Sequence, residues 1–256
     1  MSRLLAVVLF ISVFSGTLAT AQQDRPLGQA MQALREGNWA AALIDSRGDG
    51  QVGLDVILWH YLRSGRGDAT QVMDFLTRNA DWPGMEYLRE KSEITIAGAP
   101  HEVVKTFFEG QRPQTGAGAL ALARAHLDEG ERGAAEAEVV MAWRTLAMSS
   151  EERQSFLSEW APLLKPHNTA RLDMALWKGW ESNARAVIPL VDEGWQKLAE
   201  ARIALREMDG GVDGKIAAVP AALAQDPGLA YERFRWRVRK GRSEDDFAFL
   251  RREREY

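Results

Sequence analysis

The residue types that most often carry chemistry are few in this chain, and their spacing does not suit a reaction. A zinc site needs several histidines, cysteines or carboxylates at short, regular spacing. There is no cysteine, and the four histidines are too scattered to form such a set: His60, His101, His126 and His167. The sequence predicts no metal site, and each histidine is interpreted as a helix-face or turn residue.

Two acidic doublets are the next candidates, because paired carboxylates can act as general acid and base. Glu151–Glu152 and Asp245–Asp246 each follow a serine closely. Adjacent residues on a helix point in different directions, and acidic residues are favourable in a helix's first turn. Motifs for a serine nucleophile, a phosphate loop or a dinucleotide are also missing. We expect no catalytic residue and no cofactor.

Tryptophan is unusually informative here. Several of the nine indoles have apolar neighbours at helical spacing, so packing inside the core is the expected role of most. One or two could instead line a groove and stack on sugar rings, as aromatic side chains do in polar-rimmed sites. The sequence leaves both roles open for each member of the set: Trp39, Trp59, Trp82, Trp143, Trp160, Trp177, Trp180, Trp195 and Trp236.

The first residues predict export. One arginine, an apolar run over residues 4–14 and small residues ending at Ala21 are typical of a signal peptide, 1–21, cleaved after Ala21. Without cysteine there is neither a lipoprotein signal nor a disulfide framework, which favours a soluble protein of the bacterial periplasm. We expect no membrane span after cleavage. The net charge of −4 argues against a nucleic-acid partner.

Glycines divide the mature chain into helix pairs that must position any site. In LARAHLDEGERGAAEAEVVMAWR, apolar residues recur at helical spacing before and after Gly130. The pattern returns along the chain at intervals of 28 to 33 residues, except for one gap of 49. This period is near that of tetratricopeptide helix pairs. The markers are Gly37, Gly65, Gly98, Gly130, Gly179, Gly210 and Gly241.

The long gap holds an additional helix, since Ser149 and Glu152 have the spacing of a capping box. Asp226 before Pro227 predicts another helix start, and residues 81–84 predict a turn. Strand signals are nearly absent. We therefore predict an all-α fold, an α-solenoid or superhelix of tetratricopeptide-like pairs, with residues 22–256 as one continuous domain.

Several segments in order resemble one known family. They are similar to the amino-terminal superhelical region of soluble periplasmic lytic transglycosylases. The segments are NADWPGMEYLR, the glycine-centred pair with its preceding FFEGQRPQTGAGA, FLSEWAPLLKPHNTARLDMALW, ARIALR and DPGLAYERFRWRVRKGR. The resemblance covers essentially the whole mature chain. It implies an open, U-shaped arc of helices with a tetratricopeptide-like core.

In that family a separate lysozyme-like domain cleaves the glycan strand of peptidoglycan without hydrolysis. Its catalytic glutamate opens a Glu-Ser motif, with a segment like Gly-Leu-Met-Gln further on. Here the single Glu-Ser is Glu181–Ser182, and no such segment follows it. We interpret it as a polar inter-helix turn, and we expect the lysozyme-like domain to be absent. Whether the chain is a truncated enzyme or works as a scaffold alone is left open.

The resemblance implies a non-catalytic scaffold that binds or guides peptidoglycan glycan strands. The alternative is a tetratricopeptide-like periplasmic adaptor that binds a protein partner on its concave face. Four polar residues on otherwise apolar helices predict a polar network, with structural ion pairing as its favoured role: His167, Arg171, Asp173 and Arg202.

Overall fold

A computed structural model describes residues 25–241, and over this range the backbone is helical with no strand. The all-α prediction is confirmed for these residues. The predicted signal peptide, 1–21, and the doublet Asp245–Asp246 lie outside the described residues. Within residues 25–241, no helix combines the length and apolar character needed to cross a bilayer.

The chain divides into two compact units, Met1–Leu58 and Trp59–Tyr256. In the first unit, α1 (Pro26–Arg35) and α2 (Trp39–Asp45) lead through a short 3-10 turn to α3 (Gly50–Arg63). Ala30, Ala42 and Ile57 form its fully buried centre. Two of these three are alanines, which allow the helix backbones to approach closely.

Helices of the second unit follow one another with short connections. Besides the end of α3 they are α4 (Ala69–Arg78), α5 (Met85–Ile96), α6 (His101–Phe108), α7 (Gly116–Asp128), α8 (Arg132–Thr145), α9 (Ser150–Leu164), α10 (Asn168–Lys178), α11 (Glu181–Val187), α12 (Glu193–Glu207), α13 (Val212–Ala217) and α14 (Pro227–Arg239). α7 packs against α5, α6 and α8; α10 packs against α8, α11 and α12; and α12 packs against α13 and α14.

Every glycine marker lies at a predicted break, either between two helices or at the end of α14. Most have positive φ, the left-handed conformation that costs glycine no steric penalty. The Gly210 break needs a correction in detail. Met208 is the residue with positive φ (65°) that ends α12, and Gly211 (71°) precedes α13.

The predicted helix starts are confirmed. Ser149 accepts a hydrogen bond from the backbone N–H of Glu152, whose side chain accepts one from the N–H of Ser149, so the capping box of the additional helix is complete. Asp226 likewise accepts from the N–H of Leu229, with proline at the first helical position of α14. Residues 81–84 form the turn before α5.

The start of α7 is held by carboxylates from two other helices. Glu93, buried on α5, accepts hydrogen bonds from the N–H groups of Gln114 (2.7 Å) and Thr115 (2.8 Å). Glu152 on α9 accepts one from the N–H of Ala117 (2.9 Å). A Cβ on Gly118 would lie 2.3 Å from Glu93 Oε2, so glycine is what allows this close approach.

Candidate functional site

The tryptophan side chains differ in how deeply they are buried. Trp143 and Trp160 are buried and belong to one core cluster, as the packing interpretation expected, whereas six others are half-buried. Trp177 differs, because 47% of it is exposed. It lies in the last turn of α10, two residues before Gly179, the glycine that ends the helix.

A second exposed ring lies beside it. Tyr231, in α14, is 44% exposed, and its ring centroid is 5.7 Å from that of Trp177 with the planes tilted by 38°. We call Trp177 and Tyr231 the aromatic pair. Two large rings side by side at the surface form a platform on which the apolar face of a flat ligand can stack.

A buried arginine packs against Trp177 of the aromatic pair. The Arg202 guanidinium on α12 lies 5.1 Å from the centroid of Trp177. It pairs with Asp173 on α10 (2.7 Å) and approaches Asp226, the cap of α14 (3.5 Å). Arg202 therefore ties together the two helices that carry the rings, and Asp173 is one helical turn before Trp177.

The guanidinium of Arg202 needs glycine beside it. A Cβ built on Gly228 would lie 2.1 Å from its central carbon, far inside van der Waals contact. A second ion pair reinforces the same joint, because Arg206 Nε donates to the buried carboxylate of Glu232 at 3.0 Å. The position of Tyr231 thus follows from paired charges between α12 and α14.

Arg235 is a cation at this surface that pairs with no carboxylate among residues 25–241. The Arg235 guanidinium lies 5.6 Å from the ring centroid of Tyr231, one turn earlier on α14. Within residues 25–241 Arg235 makes no ion pair or side-chain hydrogen bond. A guanidinium over an aromatic face is a stable arrangement that still leaves N–H donors for a ligand.

The predicted polar network is brought together only in part. Arg202 and Asp173 form an ion pair, as expected. Arg171 lies elsewhere: fully buried, it donates to the carbonyl of Trp143 and to Asn183 Oδ1 (3.0 Å). Burial lowers the pKa of Arg171 to about 10, so it stays charged at neutral pH. His167 ends a short 3-10 turn, half-buried, outside both contacts.

Each remaining histidine has a local neighbour. His60 lies edge-on to Trp59, and burial together with the nearby Arg63 lowers its pKa. His101 is 3.2 Å from Asp128, and His126 is 2.6 Å from Glu131. Over the described residues, no three histidine or acidic side chains converge as metal ligands would.

Glu181 needs a small correction, because it opens α11 rather than lying in a turn. It pairs with Arg185 at 2.8 Å, one helical turn later, and Arg185 also contacts Glu207. The hydrogen bond from Arg185 lowers the pKa of Glu181. A general acid needs a raised pKa, so this environment is the opposite of what catalysis requires. Glu151 and Glu152 lie in the first turn of α9, as predicted.

An apolar groove lies between α8 and α10. Its volume is about 640 Å³. We call it the α8–α10 groove; its lining residues are Ala137, Val140, Met141, Arg144, Thr145, Ala170 and Met174. Arg144 is exposed and makes no side-chain ion pair or hydrogen bond within the described part of the chain.

Sequence reasoning missed Tyr231, Arg235 and this groove. The i, i+4 spacing of Tyr231 and Arg235 on a basic helix is a signal that could have found the second ring. No local signal pairs Tyr231 with Trp177, because the contact depends on how α10, α12 and α14 pack.

Comparison of the chain with models of protein families, with curated proteins and with solved structures finds no match. The described part of the chain is all-helical and carries an exposed aromatic pair beside a buried arginine that contacts carboxylates.

Proposed function

We propose that this chain is an exported helical scaffold that binds the glycan strands of peptidoglycan, as the superhelical region of the lytic transglycosylases it resembles is expected to do. In this proposal its helix pairs are tetratricopeptide-like and form a solenoid. Support comes from the glycine-marked breaks and from the packing of α7, α10 and α12 against both earlier and later helices.

The observation that carries the glycan proposal is the aromatic pair. The axial C–H groups of a hexose form an apolar face that stacks on aromatic rings, while its hydroxyls need a few well-placed polar groups. Asp173, about a third exposed and held by Arg202, offers a carboxylate acceptor one turn from Trp177. Trp177 packs against the buried Arg202 and against Tyr231, which limits the side-chain entropy that its ring loses when a ligand binds.

Catalysis is not part of the proposal. Glu181 is surface-located, paired with Arg185 and lowered in pKa. A proton donor for glycan cleavage would need the reverse shift. The proposed role is therefore to hold or guide the strand.

Co-sedimentation with insoluble peptidoglycan at low ionic strength tests the binding proposal. The chain from residue 22 onward should be retained, and Trp177→Ala should weaken retention about tenfold, because losing one stacking ring removes on the order of 1–2 kcal/mol. Met141→Ala, which removes an exposed apolar side chain from the α8–α10 groove, is the matched control and should bind like the parent. Absence of retention of the parent chain would contradict the proposal.

The α8–α10 groove favours a second candidate, an adaptor that binds an amphipathic helix. Met141 and Met174 are flexible apolar side chains suited to adaptable binding. Arg144, which pairs with no acidic side chain among the described residues, fits a carboxylate on the polar edge of such a helix. A labelled Leu- and Ala-rich helical peptide with a glutamate at its edge should bind more tightly than its lysine counterpart. Binding that survives Met141→Glu would rule out the groove.

A further inference from the structure

We propose that the aromatic pair selects glycans that carry carboxylates, and that Arg235 makes the selection. This inference rests on the proposed glycan binding and names the ligand class of that same surface. The ligand is a polymer of sugar rings with carboxylate substituents, in which a ring stacks on Trp177 or Tyr231 and a neighbouring carboxylate pairs with the guanidinium.

Arg235 lies next to the aromatic pair on α14. Arg235 and Tyr231 are four residues apart on α14, so their side chains lie on one face of the helix. The guanidinium lies 5.6 Å from the Tyr231 ring centroid, so a substituent on a sugar stacked at this surface comes within its reach. Arginine presents a planar fork of donors that matches a carboxylate in a bidentate arrangement.

The arginines that join α12 to α10 and α14 beside the rings are paired with carboxylates. Arg202 lies between the carboxylates of Asp173 and Asp226, and Asp226 also caps α14. Arg206 pairs with Glu232. Those charges are used to join helices, whereas Arg235 contacts no carboxylate in the described residues. An anionic ligand therefore completes a charge pair here instead of breaking one.

Asp173 does not oppose this selection strongly. Its carboxylate accepts a hydrogen bond from the fully buried Arg202 at 2.7 Å, which offsets its charge. A sugar hydroxyl can still donate to it. The surface thus combines an acceptor for hydroxyls, two rings for a sugar face and the Arg235 guanidinium, which has no carboxylate partner in the described part of the chain, for an acid group.

Two tetrasaccharides with the same β-1,4 N-acetylhexosamine backbone give the test. One is the neutral N-acetylglucosamine tetramer; the other is a peptide-free peptidoglycan tetrasaccharide, whose alternate rings carry lactyl carboxylates. Calorimetric titration of the chain from residue 22 onward should give an affinity about five- to tenfold higher for the acidic ligand. Arg235→Gln should reduce that ratio to within twofold of unity.

Arg233→Gln is the matched control. It removes the same charge from the same helix, but Arg233 lines a cavity with Leu205 and Val212 away from the rings. This variant should keep the preference. Equal loss in both variants would mean that the overall charge of α14 selects the ligand, and would overturn the assignment to Arg235.

The remaining outcomes separate the inference from the proposed function. Equal binding of both tetrasaccharides by the parent chain would overturn the selection while supporting glycan binding. Binding of neither, together with no retention on peptidoglycan, would overturn the proposed function itself. Thermal unfolding of each variant shows whether a lost preference reflects a lost fold.

Discussion

Two arginine–tryptophan contacts in the second unit have the same chemistry but different structural roles. Arg171 lies 4.2 Å from the ring of Trp143, and both side chains are fully buried. Arg202 lies 5.1 Å from the ring of Trp177, but only the arginine is buried. The first contact is enclosed in the core; the second presents one side of its indole to solvent.

The partners of the two arginines explain the difference. Arg171 donates to backbone carbonyls and to Asn183, while the Trp143 indole donates to Asn168 at 3.1 Å. All of these partners lie on α8, on α10, at the start of α11 or in the connection after α8, and of these groups only Arg171 Nε is without a partner among the described residues. Arg202 is instead held by carboxylates on α10 and at the start of α14. A contact placed at the joint between helices can fix a ring whose outer face remains free to bind a ligand.

The largest test of this comparison removes each indole in turn. Trp143→Ala should lower the free energy of unfolding by about 3–5 kcal/mol, since it empties a fully buried site and leaves Asn168 without its donor. Trp177→Ala should cost only about 1 kcal/mol, because much of its surface already faces water. Urea unfolding followed by circular dichroism measures both. Similar losses in the two variants would show that the exposed indole is structural after all.

A pH series on Glu93 extends the comparison to a buried carboxylate, whose charge can be lost near neutral pH when burial raises its pKa. Burial raises the pKa of Glu93, although hydrogen bonds from Thr115 and Gln114 oppose the shift. The folded state then binds the proton more tightly than the unfolded one. Protonation therefore stabilises the fold as pH falls through the folded pKa towards the unfolded value.

Relative to Glu93→Gln, which cannot titrate, the parent chain should gain stability as the pH is lowered from 8 to 5. Each pH unit between the folded and unfolded pKa values contributes about 1.4 kcal/mol. The unfolding free energies of both proteins, measured at matched pH values, give the difference directly. A constant difference across this range would show that the pKa of Glu93 is not raised.

The smallest expected effect concerns the helix that carries Arg202. Met208 ends α12 with φ of 65°, a conformation that costs a residue with a side chain about 1 kcal/mol or more. Met208→Gly should raise the free energy of unfolding by about 0.5–1 kcal/mol. Glycan binding should stay unchanged, because the arginine and its partners are untouched. A loss of stability would mean that the contacts of the methionine side chain outweigh the strain.

Local features made much of the fold predictable. Gly37, Gly65 and Gly130 end helices because glycine relieves the left-handed conformation, and the capping box of Ser149 and Glu152 depends only on neighbouring residues. The additional helix in the long gap was accessible for the same reason. The left-handed conformation of Met208 was not predictable, since no residue near it in the sequence favours that conformation two residues before a pair of glycines.

The candidate site depends on contacts that sequence spacing does not encode. Trp143 and Trp177 both lie near the end of a helix and beside a basic residue, yet one is buried and the other exposed. The difference arises from which helices pack over them. The sequence placed Arg202 and Asp173 in one polar network, but it could not associate them with Tyr231 on a later helix.

The nesting of Arg202 against Gly228 has a consequence for how this protein can diverge. A descendant that acquires any side chain at 228 must displace the guanidinium, and with it the contact to Asp173 and the support of Trp177. The two positions are therefore expected to change together or not at all. Lineages that keep glycine at 228 would be the ones free to vary the outward-facing residues of α14, and with them the ligand.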